Sequence, residues 1–344
     1  MITTEYANGL KDVFSKSFKV GAAVSKPVLE QQDANSVFCA DKLIKTHFNS
    51  ITAENTMKFG WIHPEENRYN WNEPDFLADY AKKSGITMRG HTIVWHNQTP
   101  SWLFADGDAP VTKAKLFKRL EDHIIALTSR YNDIISSWDV VNEPIDTDKG
   151  DENNMRLSEW YKIGGKEIFE FAFKCMREAS PNTKLFLNDY NIECGAKMEA
   201  NLRYLSSMLD AGIPIDGVGL QGHFYFDFPD EKTLRNALER YSALGIEIEF
   251  TEVDISLYRW NEGRDKSDFF TVRPEDRVLD QAKRYFEIFT IARDYPSVKN
   301  ITTWGIADNH TWLDNFPVKE RKNWPLLFDE QYNPKPVVDQ LLKR

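Results

Sequence analysis

Glu143 closes the apolar run 134–143, and Glu252 lies near the end of the run 246–255. Cleavage of a glycosidic bond needs two carboxyl groups flanking it, one protonated and one ionised, standing roughly 5–5.5 Å apart when configuration is retained. A lone strand-end glutamate is more often a rim ion pair or a satisfied hydrogen-bond partner, so the pair by itself is a weak signal. Other apolar runs of the chain end in the same manner. Glu54 and Asn55, with Lys58 just beyond, close one; His91, Trp95, His96 and Gln98 belong to the next; Asn142 precedes Glu143. Gln221 and His223 close another, Asp254 follows Glu252, and a last run leads from Trp304 to Asp308. Trp95, Trp102, Trp304 and Trp312 fall in these end segments. Any one of them could be core filling, but indoles beside carboxylates suit the apolar faces of sugar rings. Asn, Gln, His and Lys add directional hydrogen bonds for hydroxyl groups, so the chemistry indicated is hydrolysis of a neutral polyol.

Such residues need a frame that brings separate segments to one rim. Eight β-rich runs span 18–24, 48–55, 86–95, 134–143, 183–191, 217–224, 246–255 and 301–308. Between them lie helical patterns at 114–130, 158–179, 198–211, 234–244 and 274–293, with Pro229 and Pro274 at or just before helix starts. Leu116, Leu120, Ile124 and Leu127 form an apolar stripe at helical period. Eight strands with helical crossovers make an α/β fold, a single-domain (β/α)8 TIM barrel over 1–344, the economical architecture. In that fold the active site gathers at the C-terminal ends of the strands, where the polar residues fall. A doubly wound open sheet is the rival, but no Gly-rich phosphate loop opens any of the helices. The run 257–272, rich in Arg, Asp and aromatic residues, reads as a long loop after the seventh strand.

Bulk properties narrow the class further. The net charge of −10 over 344 residues argues against a nucleic-acid partner, because phosphate binding needs a basic face. Cys39, Cys175 and Cys194 are sparse and odd in number, neither a disulfide framework nor a zinc-site spacing, as expected of thiols in a reducing compartment. The first twenty residues lack the apolar stretch of a secretory signal, and no segment reaches the ~18 apolar residues of a membrane span. A cytoplasmic location without membrane association is the expectation. No cofactor or metal is called for.

Seven motifs sharpen this reading: WDVVNE (138–143), TEVDI (251–255), HTIVWHNQTPSW (91–102), FNSITAENTMKF (48–59), LNDYN (187–191), GLQGHF (219–224) and WGIADNHTWL (304–313). Together, over about 18–328, they resemble glycoside hydrolase family 10, the endo-β-1,4-xylanases. The resemblance implies that Glu143 is the acid/base and Glu252 the nucleophile of a retaining enzyme. It implies that Asn142 binds the 2-hydroxyl of the sugar at the cleavage site, and that His223 hydrogen-bonds the nucleophile with Asp254 behind it. Lys58, His91, Trp95 and Gln221 would line the sugar before the cut, and Glu54 and Asn55 would hold hydroxyls one sugar further out. Trp304 and Trp312 would wall the pocket so that it prefers xylose. Pro144 departs from the family, which has a small residue such as Ala there, and should push Glu143 toward extended backbone geometry.

In the mechanism this implies, Gln221 and His223 donate hydrogen bonds that keep Glu252 ionised, while Glu143 starts protonated and later activates water. The partner is a xylan-derived oligosaccharide, expected to be imported if the enzyme is cytoplasmic. Three rivals stay open on sequence: a metal-dependent hydrolase using His91, His96, His223, Glu252 and Asp254, a non-catalytic sugar-binding barrel, and a related barrel cutting glucan or mannan. The first lacks an HxH or HExxH pair on one element. For an acidic decoration on the substrate, Lys58, Arg259, Arg264 and Arg273 are available, although solvated surface charge is the simpler role for the three arginines.

Overall fold

The computed structural model describes residues 8–30 and 39–344; the first seven residues of the expected signal-free N-terminus lie outside this range. Eight strands form the frame: β1 Lys19–Val24, β2 Ser50–Ala53, β3 Thr87–Val94, β4 Ile135–Asn142, β5 Lys184–Asp189, β6 Gly217–Leu220, β7 Glu247–Ser256 and β8 Val298–Thr303. Each pairs in parallel with its sequence neighbours, and β8 pairs with both β7 and β1, which closes the barrel. Every strand is followed by a helix: α1 Ala40–His47, α2 Asn72–Ser84, α3 Lys113–Tyr131, α4 Glu167–Ala179, α5 Gly195–Asp210, α6 Glu231–Ser242, α7 Glu275–Ala292 and α8 Pro336–Leu341. This is the (β/α)8 barrel expected from the alternation of apolar runs and helical patterns. The runs are near-continuously apolar because a parallel strand under a helix layer is buried on both faces.

The helices follow from their sequences. In α3, Leu116, Leu120, Ile124 and Leu127 are fully buried, and the Thr112 hydroxyl caps the helix by accepting the Lys115 N–H. The pattern 158–179 is not one helix. It breaks into Glu159–Gly164 and α4 because Gly165 takes φ +70°, a conformation that ends a helix and that glycine adopts without penalty. The run 217–224 is also divided: β6 stops at Leu220, Gly222 turns at φ +77°, and a short strand His223–Tyr225 resumes beside β7. The run 257–272 is indeed a loop, holding only a 3-10 turn at Lys266–Asp268. Arg277 donates to Leu257 O, Arg321 to Glu262 O, and the Tyr258 hydroxyl accepts the Phe270 N–H. Among the described residues no helix is long and apolar enough to cross a membrane.

Three register shifts fall near the upper ends of strands: between His91 and Val94 in β3, between Asp139 and Val141 in β4, and between Phe250 and Val253 in β7. A local bulge of this kind re-aims the side chains that follow it. The segments so treated carry His91, Asn142 and Glu252.

Candidate active site

Inside the barrel, below the mouth, the guanidinium of Arg89 donates to both Asp139 oxygens at 2.8 and 3.1 Å and also contacts Glu249. All three are buried, and one cation faces two carboxylates. Burial alone would raise Asp139, but Arg89 and the His91 hydrogen bond override it and hold this carboxyl down at about 2. On Glu249 burial prevails and its carboxyl is raised. Ionised Asp139 then accepts from His91 Nδ1 at 2.9 Å, which fixes the proton on that nitrogen and leaves Nε2 for the cavity above.

Glu252 and Glu143 rise above this layer on β7 and just past β4. His223 connects the nucleophile candidate to Asp254: its Nε2 lies 3.4 Å from Glu252 Oε2 and its Nδ1 3.0 Å from Asp254 Oδ1. Burial opposes a charged imidazole, yet the two carboxylates push His223 up to about 10, so it is a cation at neutral pH. Burial would raise Glu252 as well, but the hydrogen bond from His223 and the charges of His91 and Lys58 hold it below the usual carboxylate range. Trp312 donates its indole N–H to the other oxygen of Asp254 at 2.7 Å, and its ring packs 5.0 Å from that of His223.

The Gln221 side chain does not bond the carboxyl of the nucleophile; only its backbone carbonyl accepts the Glu252 N–H, at 2.8 Å. Its Nε2 donates to Glu143 Oε1 at 3.1 Å and reaches Asn142 Oδ1 at 3.4 Å. The amide that serves Glu252 is Asn188, on β5, whose Nδ2 donates to Glu252 Oε1 at 2.9 Å and to Asn142 Oδ1 at 2.8 Å. The reach of Asn188 has a steric cause. Gly219 of the intervening strand has no side chain, and a Cβ there would stand 2.2 Å from Asn188 Oδ1 and 2.9 Å from Thr251. Asn188 therefore crosses β6 and accepts from the Thr251 hydroxyl at 2.6 Å. LNDYN marked the segment, but only the missing Cβ of Gly219 on the adjacent strand gives Asn188 its reach.

Glu143 departs from expectation in its backbone. It has φ +55°, left-handed rather than extended, despite the proline that follows. Its N–H donates to Asn188 O at 2.8 Å, so the turn is set by its hydrogen bonds to β5 against the local preference before proline. The carboxyl meets neutral donors, Gln221 at 3.1 Å and Asn142 at 3.5 Å on Oε1. His96 Nδ1 is 3.7 Å from Oε2, and burial holds this imidazole down at about 4, hence neutral.

The remaining expected residues line one side of the mouth. Asn55 donates to Glu54 at 3.2 Å and accepts from Lys58 Nζ at 2.9 Å. Lys58 stands 5.0 Å from the Trp95 ring and 5.7 Å from that of Trp304, and Trp304 meets His91 edge-on at 5.3 Å. Burial lowers Lys58, although Glu252, Glu54 and Glu143 all favour its charge; burial likewise raises Glu54. Trp102 is not in this group: it packs on Phe59 and His63 and donates to His63 O. Among the described residues no three His, Cys, Asp or Glu side chains converge to hold a metal ion. Arg259 pairs with Asp227 and Glu262, and Arg264 bonds Trp260 O, so both have local structural partners.

A barrel with this mouth matches a known family. The profile of glycosyl hydrolase family 10 covers residues 9–344. The chain belongs to glycosyl hydrolase family 10. Among family 10 relatives, endo-1,4-beta-xylanase A of Caldicellulosiruptor saccharolyticus is 44% identical over 337 residues, 97% of this chain and 95% of that protein. The crystal structure of the endo-1,4-beta-xylanase from Caldicellulosiruptor owensensis superposes with a TM-score of 0.91 at 39% identity, covering 98% of this chain and 100% of that one. A mutant structure in complex with xylotriose has the same TM-score at 40% identity, covering 98% and 99% of the two chains.

Proposed function

We propose that this chain is a retaining endo-1,4-β-xylanase in which Glu252 is the nucleophile and Glu143 the acid/base. The observation that carries the division of roles is the unequal company of the two carboxyls. Glu252 is held below the usual carboxylate range by His223, His91 and Lys58, while Glu143 Oε1 meets only the neutral amides of Gln221 and Asn142. An ionised group attacks, and Glu143, whose carboxyl no cation contacts directly, is left to carry the proton.

The steps follow from these contacts. With two amide N–H groups aimed at Oε1, the proton of Glu143 rests on Oε2, where it can pass to the leaving oxygen. Glu252 Oε2 attacks the anomeric carbon as that bond breaks, and the His223 cation keeps its contact with the forming ester. Once Glu252 is esterified its charge is gone; Glu143, having lost its proton, takes one from water, which attacks the same carbon and frees Glu252. Acid/base assistance of this kind contributes about 10²–10⁴-fold. Asn142, bonded by Asn188, is placed to hold a hydroxyl beside the reacting carbon. Glu54, Asn55, Lys58, His91, Trp95 and Gln221 bind the sugars before the cut, and Trp304 and Trp312 crowd a hydroxymethyl group and so favour xylose over glucose.

The decisive experiment pairs two variants. Glu252→Gln should abolish turnover, and Glu143→Ala should regain activity with azide, yielding the β-xylosyl azide of net retention. Near-normal rates in Glu252→Gln would end the assignment. Hydrolysis of aryl xylobioside well above aryl cellobioside tests the sugar preference.

The reading extends to place and substrate: an enzyme of the cytoplasm acting on imported xylo-oligosaccharides. Three unpaired cysteines support it, Cys194 being exposed, since an exposed free thiol is at home in a reducing compartment. Activity released only when source cells are permeabilised, with short oligomers preferred over polymer, is the expected result.

A further inference from the structure

The acid/base stands on an unusual piece of chain. Glu143 has positive φ and is followed by a proline, which supplies no N–H to anchor the turn. Two donors come from below: Glu143 N–H to Asn188 O, and Ile145 N–H to Asp189 Oδ2 at 3.2 Å. The three carbonyls of the turn point the other way, and all three end on one residue. Arg156 Nε donates to Glu143 O at 2.8 Å, its backbone N–H to Pro144 O at 2.7 Å, and Nη2 to Ile145 O at 3.2 Å. The same guanidinium reaches Asp146 Oδ2 at 3.0 Å and the Tyr190 hydroxyl at 3.1 Å. Four of its donors are thereby in use, with the side chain only 16% exposed.

From this clasp we infer that Arg156 is a positioning residue for the acid/base: it holds the Glu143 turn in its left-handed conformation and so aims the carboxyl at the leaving oxygen. It touches neither Glu143's carboxyl nor any group that holds Glu252. The nucleophile has independent supports in His223 and Asn188. Loss of Arg156 should therefore impair the steps that use Glu143 and spare the attack by Glu252. Lysine cannot substitute, because one ammonium on a flexible stem cannot serve the four acceptors that the planar guanidinium meets, Glu143 O, Ile145 O, Asp146 Oδ2 and the Tyr190 hydroxyl.

The inference rests on Glu143 being the acid/base, and the test separates the two. Arg156→Lys, Arg156→Met and Glu143→Ala are compared with the wild type by kcat/KM on xylo-oligosaccharide, whose leaving group needs a proton, and on dinitrophenyl xylobioside, whose leaving group does not. Circular dichroism checks folding, and the ratio is read on whichever Arg156 variant folds. For those variants a loss of about 10–100-fold is expected on the oligosaccharide, as for a misplaced catalytic group. On the dinitrophenyl substrate the change should stay within about threefold, since general acid help is not needed there. In Arg156→Met, millimolar guanidinium should restore part of the oligosaccharide rate. Equal losses on both substrates would reduce Arg156 to a loop staple and overturn the inference. If Glu143→Ala itself shows no leaving-group dependence, the acid/base reading falls; if it does and the Arg156 variants do not, only the positioning role falls.

Discussion

Replacing His223 with Gln removes one positive charge from between two buried carboxylates while keeping an amide that can still donate. The imidazolium lies 3.4 Å from Glu252 and 3.0 Å from Asp254. At an effective dielectric of about 20, a unit charge at that separation from Glu252 is worth ~5 kcal/mol. Lys58 and His91 remain and the site can relax, so the expected rise in the Glu252 carboxyl is about 1–3 pH units. The assay is the acid limb of kcat/KM on dinitrophenyl xylobioside, where Glu143 need not give a proton and the limb reports the nucleophile in the free enzyme. The limb should move to higher pH in His223→Gln, with the plateau rate less affected than the rate at low pH. Stability supplies a second readout of opposite slope. His223 is raised from 6.5 in the unfolded chain to about 10 in the fold, by Asp254 and then Glu252 against burial. Its contribution is thus fully present below about pH 6.5 and is lost as pH rises through about 10. The wild type should lose stability over that window relative to His223→Gln, measured by denaturant midpoints. An acid limb that stays within about 0.3 units of the wild type would refute the charge argument, because even the weakest expected coupling exceeds it.

Other expectations follow from the same layer of contacts. Asn188→Ala deletes the donor shared by Glu252 and Asn142 and leaves the Thr251 hydroxyl unpaired; a charge-assisted bond of about 1.5–3 kcal/mol translates into a fall of roughly 10–150-fold in kcat/KM. Asp139→Asn loses the negative charge and one of the two acceptor oxygens, so it cannot keep all three contacts with Arg89 and His91; breaking this buried pair should cost about 3–5 kcal/mol by urea denaturation. Because Asp139 titrates at about 2 in the fold against 3.8 unfolded, its contribution is present above pH 3.8 and fades as pH falls through about 2, so the two proteins should converge in acid. Gly219→Ala should fold poorly or lose activity with Asn188→Ala, as its methyl group would enter the space of Asn188 Oδ1; wild-type rates in a folded Gly219→Ala would refute the crossing.

The barrel was legible because its strands announce themselves: all eight apolar runs became strands, since burial on both faces demands unbroken hydrophobicity. Boundaries were less legible. The Gly164–Gly165 pair inside 158–179 is a local break signal that the apolar period obscures, and the φ of Gly165 shows that the helix stops and restarts there. At the site, residue types pointed to the right mouth, but partners did not follow from them. The donor to Glu252 expected of Gln221 is Asn188, which reaches it because Gly219 has no Cβ, and Pro144 suggested extended geometry for a residue that neighbouring strands force to φ +55°. Trp102, for which a sugar-facing and a core-filling role were both open, packs on Phe59 and His63. Each miss at the site involves residues far apart in sequence, to which a local preference of about 1 kcal/mol yields.

Four glutamates make the point chemically. Glu54, Glu143, Glu249 and Glu252 are identical in sequence terms and all lie in or under one barrel mouth, yet they cannot do the same work. Glu249 shares Arg89 with Asp139; the cation cannot satisfy both, and burial tips Glu249 upward. Glu54 has Lys58 and Asn55 nearby but is still raised by burial. Glu252 alone is offered His223, His91 and Lys58 together, enough to overcome the same desolvation. For Glu54, Glu249 and Glu252 the outcome is therefore a balance between a burial cost common to all three and the charged and hydrogen-bonding neighbours peculiar to each. That balance predicts that nucleophile and acid/base could not be exchanged by swapping side chains. They would have to exchange surroundings, and the surroundings of Glu252 come from four strands at once, with Lys58 from beyond β2, His91 from β3, Asn188 from β5 and His223 from beyond β6.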